Sequence, residues 1–108
     1  MKAEQIEQCL ALDHKENIQK ARENLQGVVK KTPLIYSDFY SKEYGCNVYI
    51  KPENMQITGS FKLRGAYNKI SNLTQEEAEK GIIASSAGNH AQGVAFSAQK
   101  RGIKAVIV

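Results

Sequence analysis

The sequence has few of the residues that mark disulfide-stapled or metal-binding proteins. Its 108 residues include only two cysteines, two prolines and no tryptophan. Cys9 and Cys46 do not have the short spacing of zinc ligands, and one pair of cysteines does not make a disulfide framework. We therefore expect reduced, structural thiols and no bound metal.

Long apolar runs and clustered charges are also missing. Residues 1–8 are polar, unlike a secretory signal, and no stretch approaches the roughly 20 apolar residues of a transmembrane helix. The net charge is +4, but acidic residues are interleaved with the lysines. The only adjacent basic pairs are Lys30-Lys31 and Lys100-Arg101, too few for a nucleic-acid surface. We expect a cytoplasmic, soluble protein that binds neither nucleic acid nor membrane.

Capping residues, apolar spacing and glycines divide the chain into short elements. Asp13 and Glu16 form a capping box before a helix that ends near Gly27, and the first dozen residues are predicted to be a weak helix or a frayed arm. Ser60 is predicted to cap a later helix with Leu63, Tyr67 and Ile70 on one side, and Thr74 with Glu77 gives a second capping box. The other predicted helices cover residues 38–43, 61–72, 74–80 and 90–101, and the predicted strands cover residues 47–51, 81–85 and 104–108.

The last third of the chain therefore reads as strand, loop, helix, strand. A parallel βαβ unit with a right-handed crossover is the natural arrangement of such a segment. The apolar run at residues 105–108 carries no turn or cap, and a central strand without a neighbour leaves an open sheet edge. The pattern predicts an α/β protein of which this chain is the N-terminal part.

The first motif that carries chemistry is Gly-Ser-Phe-Lys-Leu-Arg-Gly-Ala at residues 59–66. Its lysine, Lys62, lies at the N-terminal end of a predicted helix, where the helix dipole and any burial favour the neutral, nucleophilic amine. Such an amine can form a Schiff base with an aldehyde. Charge placement alone also fits a solvated lysine on an amphipathic helix.

The second motif is Ser-Ser-Ala-Gly-Asn-His-Ala-Gln-Gly at residues 85–93. A strand delivers this loop of small residues to a helix N-terminus, where backbone N–H groups can bind a carboxylate or a phosphate. The alternative is an ordinary βα turn capped by Asn89. The loop lacks both the Walker lysine and the three-glycine spacing of a dinucleotide site.

With three further blocks, the chain resembles the fold type II pyridoxal-phosphate enzymes, and within them the threonine/serine dehydratases. The resemblance runs from residue 32 to residue 108. The further blocks are Thr-Pro-Leu at 32–34, Lys-Pro-Glu-Asn-Met-Gln at 51–56 and Lys-Gly-Ile-Ile at 80–83. It implies an open, parallel, three-layer α/β sheet similar to that of tryptophan synthase β.

The resemblance also implies a division of the chain and a set of roles. Residues 1–79 would begin the larger, lysine-bearing domain, and residues 80–108 would begin the smaller substrate-loop domain. Lys62 would form the Schiff base with pyridoxal 5′-phosphate, Phe61 would pack beside the cofactor ring, and Asn89 would hydrogen-bond the ring hydroxyl. The pocket for the substrate carboxylate would be lined by Ser86, Ala87, Gly88, Asn89 and His90.

The implied reaction is β-elimination of L-threonine to 2-oxobutanoate and ammonia, and of L-serine to pyruvate, as in isoleucine biosynthesis and related amino-acid metabolism. The loop that cradles the cofactor phosphate would lie beyond residue 108, so the enzyme would be longer and this segment alone would be inactive. The full-length enzyme is expected to be a homo-oligomer. Similar serine racemases carry a proton-transferring serine where this chain has Ala87. Because alanine cannot transfer a proton, the resemblance favours elimination over racemisation. The alternatives are a serine racemase-like enzyme and a non-catalytic domain that binds an anion or a partner.

Overall fold

A computed structural model describes residues 14–108. The predicted cap Asp13, the first dozen residues and Cys9 lie outside this range. In chain order the helices are α1 (His14–Leu25), α2 (Asp38–Tyr44), α3 (Lys62–Ser71), α4 (Gln75–Lys80) and α5 (Asn89–Arg101). The strands are β1 (Ile35–Tyr36), β2 (Tyr49–Ile50), β3 (Ile82–Ala84) and β4 (Ala105–Ile107), and a 3₁₀ turn covers Glu53–Met55.

The described strands form two small sheets. β1 and β2 pair antiparallel, whereas β3 and β4 pair parallel, with Ile82 opposite Ala105. Helix α5 connects β3 to β4, so the predicted parallel βαβ unit and the α/β class are confirmed. The mostly apolar residues 81–85 are typical of a buried strand, and this prediction is wrong for the described residues, because Ile83 is 77% exposed.

Strand β2 is shorter than the prediction over residues 47–51, and the hydrogen bonds explain why. The N–H of Val48 donates to the hydroxyl of Ser41 at 2.9 Å, so it does not join the ladder. At the other end, the carbonyl of Lys51 accepts from the N–H of Glu53 at 3.0 Å, and Pro52 has no N–H to donate. The carbonyl of Val48 still accepts from the N–H of Ser37 at 2.9 Å, so only part of the predicted strand pairs as a regular ladder.

The core lies between α3 and α5. Leu63, Ala66, Tyr67 and Ile70 recur at helical spacing on α3, and all four are buried. On α5, Val94 packs into the same cluster as Ala66 and Ile70. The predicted apolar face of the lysine-bearing helix is therefore confirmed, and it is α5, the helix of the second motif, that covers it.

Local caps explain where these helices begin and end. Thr74 and Glu77 form the predicted capping box of α4, with reciprocal hydrogen bonds of 2.8 and 3.2 Å. Gly102 ends α5 at φ 65°, a left-handed conformation that costs glycine little. The predicted Ser60 cap is wrong in detail: Phe61 precedes the first helical residue, and the hydroxyl of Ser60 accepts only from the N–H of Lys62, at 3.3 Å.

Candidate active site

The two sequence motifs meet where α5 crosses the start of α3. Gly93, on the first part of α5, faces the peptide between Lys62 and Leu63. A Cβ atom built on Gly93 would lie 3.3 Å from the carbonyl carbon and oxygen of Lys62 and from the nitrogen of Leu63. Such a close approach of two backbones favours a residue without a side chain. The structure therefore brings the end of the second motif against the backbone of the candidate lysine.

Buried side chains on both helices stabilise this crossing. Leu63 and Ser97 are both fully buried. The hydroxyl of Ser97 donates to the carbonyl of Gly93 at 2.6 Å, which satisfies a polar group that would otherwise be costly to bury. Gly93 is the last residue of the second sequence motif, but no role was predicted for it, and none was predicted for Ser97. The available signal was a glycine inside a helix, which costs about 1 kcal/mol relative to alanine unless packing requires it.

The side chain of Lys62 is exposed at the first position of α3. Its ammonium lies 5.3 Å from the centroid of the Phe61 ring. Among the described residues it makes no ion pair, so the amine is open to a ligand. The side chain of Lys62 is therefore not buried by the described residues.

The loop between β3 and α5 is shaped by Ser86. Its hydroxyl accepts hydrogen bonds from the N–H groups of Gly88 at 3.4 Å and Ala91 at 3.2 Å. Its own N–H donates to the carbonyl of Val108 at 3.0 Å, which ties the loop to the residue after β4. Ser86 thus performs the capping that the alternative reading gave to Asn89, which is instead the first residue of α5.

The remaining predicted loop residues lie at the N-terminus of α5. Ala87, Gly88, Asn89 and His90 are all exposed. Within residues 14–108, the N–H groups of Ala87, Asn89 and His90 have no hydrogen-bond acceptor. Free donors at the positive end of a helix can bind an anion such as a carboxylate.

A charged network joins the blocks that precede the lysine. The guanidinium of Arg64 donates to both carboxylate oxygens of Glu53, at 2.8 and 3.0 Å, and the hydroxyl of Thr32 also hydrogen-bonds this carboxylate. The hydrogen bonds from Arg64, with a smaller contribution from Thr32, lower the pKa of Glu53 from 4.5 to about 2 against the opposing effect of burial. Glu53 and Arg64 belong to the blocks at residues 51–56 and 59–66, but no role was predicted for either residue.

Residues 14–108 show neither a cluster of metal ligands nor a membrane-spanning helix. No three His, Cys, Asp or Glu side chains there gather closely enough to hold a metal ion. None of the helices in the same range has both the length and the apolar character needed to cross a membrane.

Comparison with known proteins points to one enzyme family. The family described as "Pyridoxal-phosphate dependent enzyme" matches residues 25–108. The L-threonine ammonia-lyase of Thermotoga maritima is 55% identical over 93 residues, which cover 86% of this chain and 23% of that protein.

Solved structures agree with this result. A maize serine racemase has a TM-score of 0.77 at 38% identity, over 85% of this chain and 29% of that one. The processed form of threonine deaminase isoform 2 from Solanum lycopersicum has a TM-score of 0.70 at 45% identity, over 89% and 28%. The predicted fold class is confirmed, and the chain spans about a quarter of the length of these proteins.

Proposed function

Because this chain belongs to the family of pyridoxal-phosphate dependent enzymes, we propose that it forms part of a longer enzyme that dehydrates and deaminates L-threonine. The products are 2-oxobutanoate and ammonia, and L-serine would give pyruvate. The observation that carries the proposal is the contact of Gly93 with the Lys62 backbone, which joins the nucleophile motif to the anion-binding motif. The likeness to an L-threonine ammonia-lyase supports threonine as the substrate.

The residues at this crossing fit pyridoxal phosphate. The amine of Lys62 is exposed and has no ion-pair partner among the described residues, as attachment to an aldehyde requires. We assign Lys62 to the covalent link, Phe61 to the side of the cofactor ring and Asn89 to the ring hydroxyl. When bound, the cofactor supplies an electron sink for negative charge that develops at the substrate Cα.

The chain's own groups then divide the remaining work. The free N–H groups at the start of α5 hold the substrate carboxylate, within a pocket formed by residues 86–90. The Nζ of Lys62, as a free amine, would take the proton from the substrate Cα. Loss of the β-hydroxyl as water, followed by hydrolysis of the C–N bond, balances threonine against 2-oxobutanoate and ammonia. Ser86 acts on the shape of the loop, since its hydroxyl is engaged with Gly88 and Ala91.

The likeness to a serine racemase favours racemisation as a second candidate. Racemisation needs a proton donor on the face of the cofactor opposite the lysine. By the resemblance, Ala87 would stand where serine racemases carry a serine, and its methyl group cannot transfer a proton. Elimination is therefore our preferred reaction. The boundary after residue 79 and homo-oligomeric assembly stay predictions from the resemblance, and a cytoplasmic location stays a prediction from the sequence pattern.

The test compares Lys62→Ala with Lys69→Ala in the complete polypeptide. Lys69 is an exposed lysine on the same helix, so its loss controls for removal of one charge. We expect Lys62→Ala to lose both the visible absorption of bound cofactor and the formation of 2-oxobutanoate, whereas Lys69→Ala keeps both. Normal turnover in the Lys62→Ala protein would contradict the assignment.

A further inference from the structure

The ion pair between Glu53 and Arg64 differs from the other charged pairs of the described chain. Its side chains are only 16% and 29% exposed, and it has the two-pronged geometry that arginine makes with a carboxylate. By contrast, Lys80–Glu76 is a single contact between side chains that are 70% and 80% exposed. Exposed pairs of that kind contribute little to stability. The Glu53–Arg64 pair is thus the strong one, and it lies two residues from Lys62.

The pair is the centre of a web that fixes the chain before α3. Gln56 is buried, and its amide exchanges hydrogen bonds with the N–H and carbonyl of Lys30, at 2.8 and 3.0 Å. That same carbonyl accepts from the Arg64 guanidinium at 3.4 Å. Together with the bonds of Thr32, the web joins residues 30–32 and 51–56 to the first turn of α3.

The helix geometry relates this web to the lysine. At about 100° per residue, Arg64 stands roughly 200° around the α3 axis from Lys62. The guanidinium therefore binds Glu53 on the side of the first turn opposite Lys62, and the side that carries Lys62 stays open. Gly93 meanwhile contacts the same turn at the Lys62–Leu63 peptide. The two contacts restrain both the rotation and the sideways displacement of the residue that bears the amine.

We infer that the Glu53–Arg64 pair is a positioning device for Lys62, which fixes the direction from which its amine meets the cofactor aldehyde. The inference rests on the proposed function of Lys62. We assign Arg64 and Glu53 no contact with substrate or cofactor. They act through the first turn of α3. A merely structural anchor would stabilise the fold without affecting how Lys62 reacts relative to other lysines.

The experiment measures the rate at which the cofactor attaches to Lys62 relative to Lys69. The complete polypeptide is incubated with pyridoxal phosphate, reduced with borohydride at intervals, and digested for peptide mass spectrometry. The variants are Arg64→Lys and Glu53→Gln, and Glu76→Gln removes an exposed carboxylate as a matched control. All are compared well below their unfolding midpoints, so that Lys69 reports any general loosening of α3.

We expect the Lys62-to-Lys69 ratio to fall about tenfold or more in Arg64→Lys, since a misplacement of about 1 Å can lower a rate by about a hundredfold. The kcat should fall in parallel with little change in KM, and Glu76→Gln should match the wild type. If Arg64→Lys does not fold, Glu53→Gln alone decides, because it keeps the side-chain shape. A lower unfolding midpoint with an unchanged ratio would overturn the inference. Absence of selective Lys62 labelling in the wild type would refute the proposed function instead.

Discussion

Gly93 offers the sharpest test of the helix crossing, because two opposing effects can be weighed there. Alanine in a helix interior is favoured over glycine by about 1 kcal/mol. Against this, the new methyl group would lie 3.3 Å from three backbone atoms of Lys62 and Leu63, which cannot rotate away as a side chain would. Crowding a packed interior in this way costs about 1–3 kcal/mol. We therefore expect Gly93→Ala to lose about 0–2 kcal/mol of folding free energy.

The matched control is Gly65→Ala on α3. Gly65 is also inside a helix, but it is exposed, and a Cβ there meets no described atom within 4 Å. Only the helix preference operates, so this variant should gain about 1 kcal/mol. Subtracting one variant from the other cancels that preference. The remaining difference, about 1–3 kcal/mol, is the cost of the contact between Gly93 and the Lys62 backbone.

The assay is urea unfolding of the complete polypeptide, followed by circular dichroism, with the midpoint and slope of each variant compared. A third variant, Gly93→Val, places two more methyl groups in the same space and should lose at least about 2 kcal/mol. If Gly93→Ala gained as much stability as Gly65→Ala, the two helices would not be in tight contact. The crossing would then not hold Lys62 in place.

Three further predictions follow from other parts of the site. Ala87→Ser should raise racemisation relative to elimination, measured by chiral analysis of recovered serine, and an unchanged ratio would leave Ala87 without its role. The pKa of Glu53 is lowered from 4.5 to about 2, so its ionised form stabilises the fold above about pH 4.5, and this stability is lost as the pH falls toward 2. The difference in urea midpoint between wild type and Glu53→Gln should therefore become smaller as the pH falls from about 4.5 toward 2. A difference that stays constant over this range would contradict the stabilising role of the ionised Glu53. The 108-residue polypeptide alone should form no 2-oxobutanoate. It should also aggregate, because apolar side chains such as Ile83 and Phe39 are 77% and 71% exposed. Sustained, saturable turnover would show that further segments are not needed.

The elements that depend on local signals were predictable from the sequence. Thr74 and Glu77 form a capping box because the two residues are three apart, and Gly102 ends α5 because glycine accepts a left-handed conformation at little cost. The parallel βαβ unit followed from the strand, helix and strand order alone. In each case the deciding contacts lie within a few residues, where a pattern can be read without knowledge of the fold.

The start of α3 and the loop before α5 were harder, because several polar side chains competed for each capping position. Ser60 and Asn89 both carry groups that commonly cap helices. The structure instead places Phe61 before the first helical residue of α3, with the hydroxyl of Ser60 on the N–H of Lys62, and gives the capping of α5 to Ser86. Ser86 is held in position by Val108, which is 22 residues away in sequence. Local propensity could not rank these candidates, since the choice depends on where β4 lies.

The precision of the candidate site depends on contacts that no local pattern reveals. A lysine at the start of an amphipathic helix is common, and by itself it predicts a solvated side chain as readily as a nucleophile. What distinguishes Lys62 is that its turn is held from two sides, by Arg64 through Glu53 and by Gly93 through its bare backbone. Catalytic geometry tolerates errors of only about 0.5 Å, so a nucleophile needs support of this kind. Through Thr32, Glu53 and Gln56, the blocks at residues 32–34 and 51–56 form one hydrogen-bonded network around the first turn of α3, the turn that carries the proposed nucleophile Lys62.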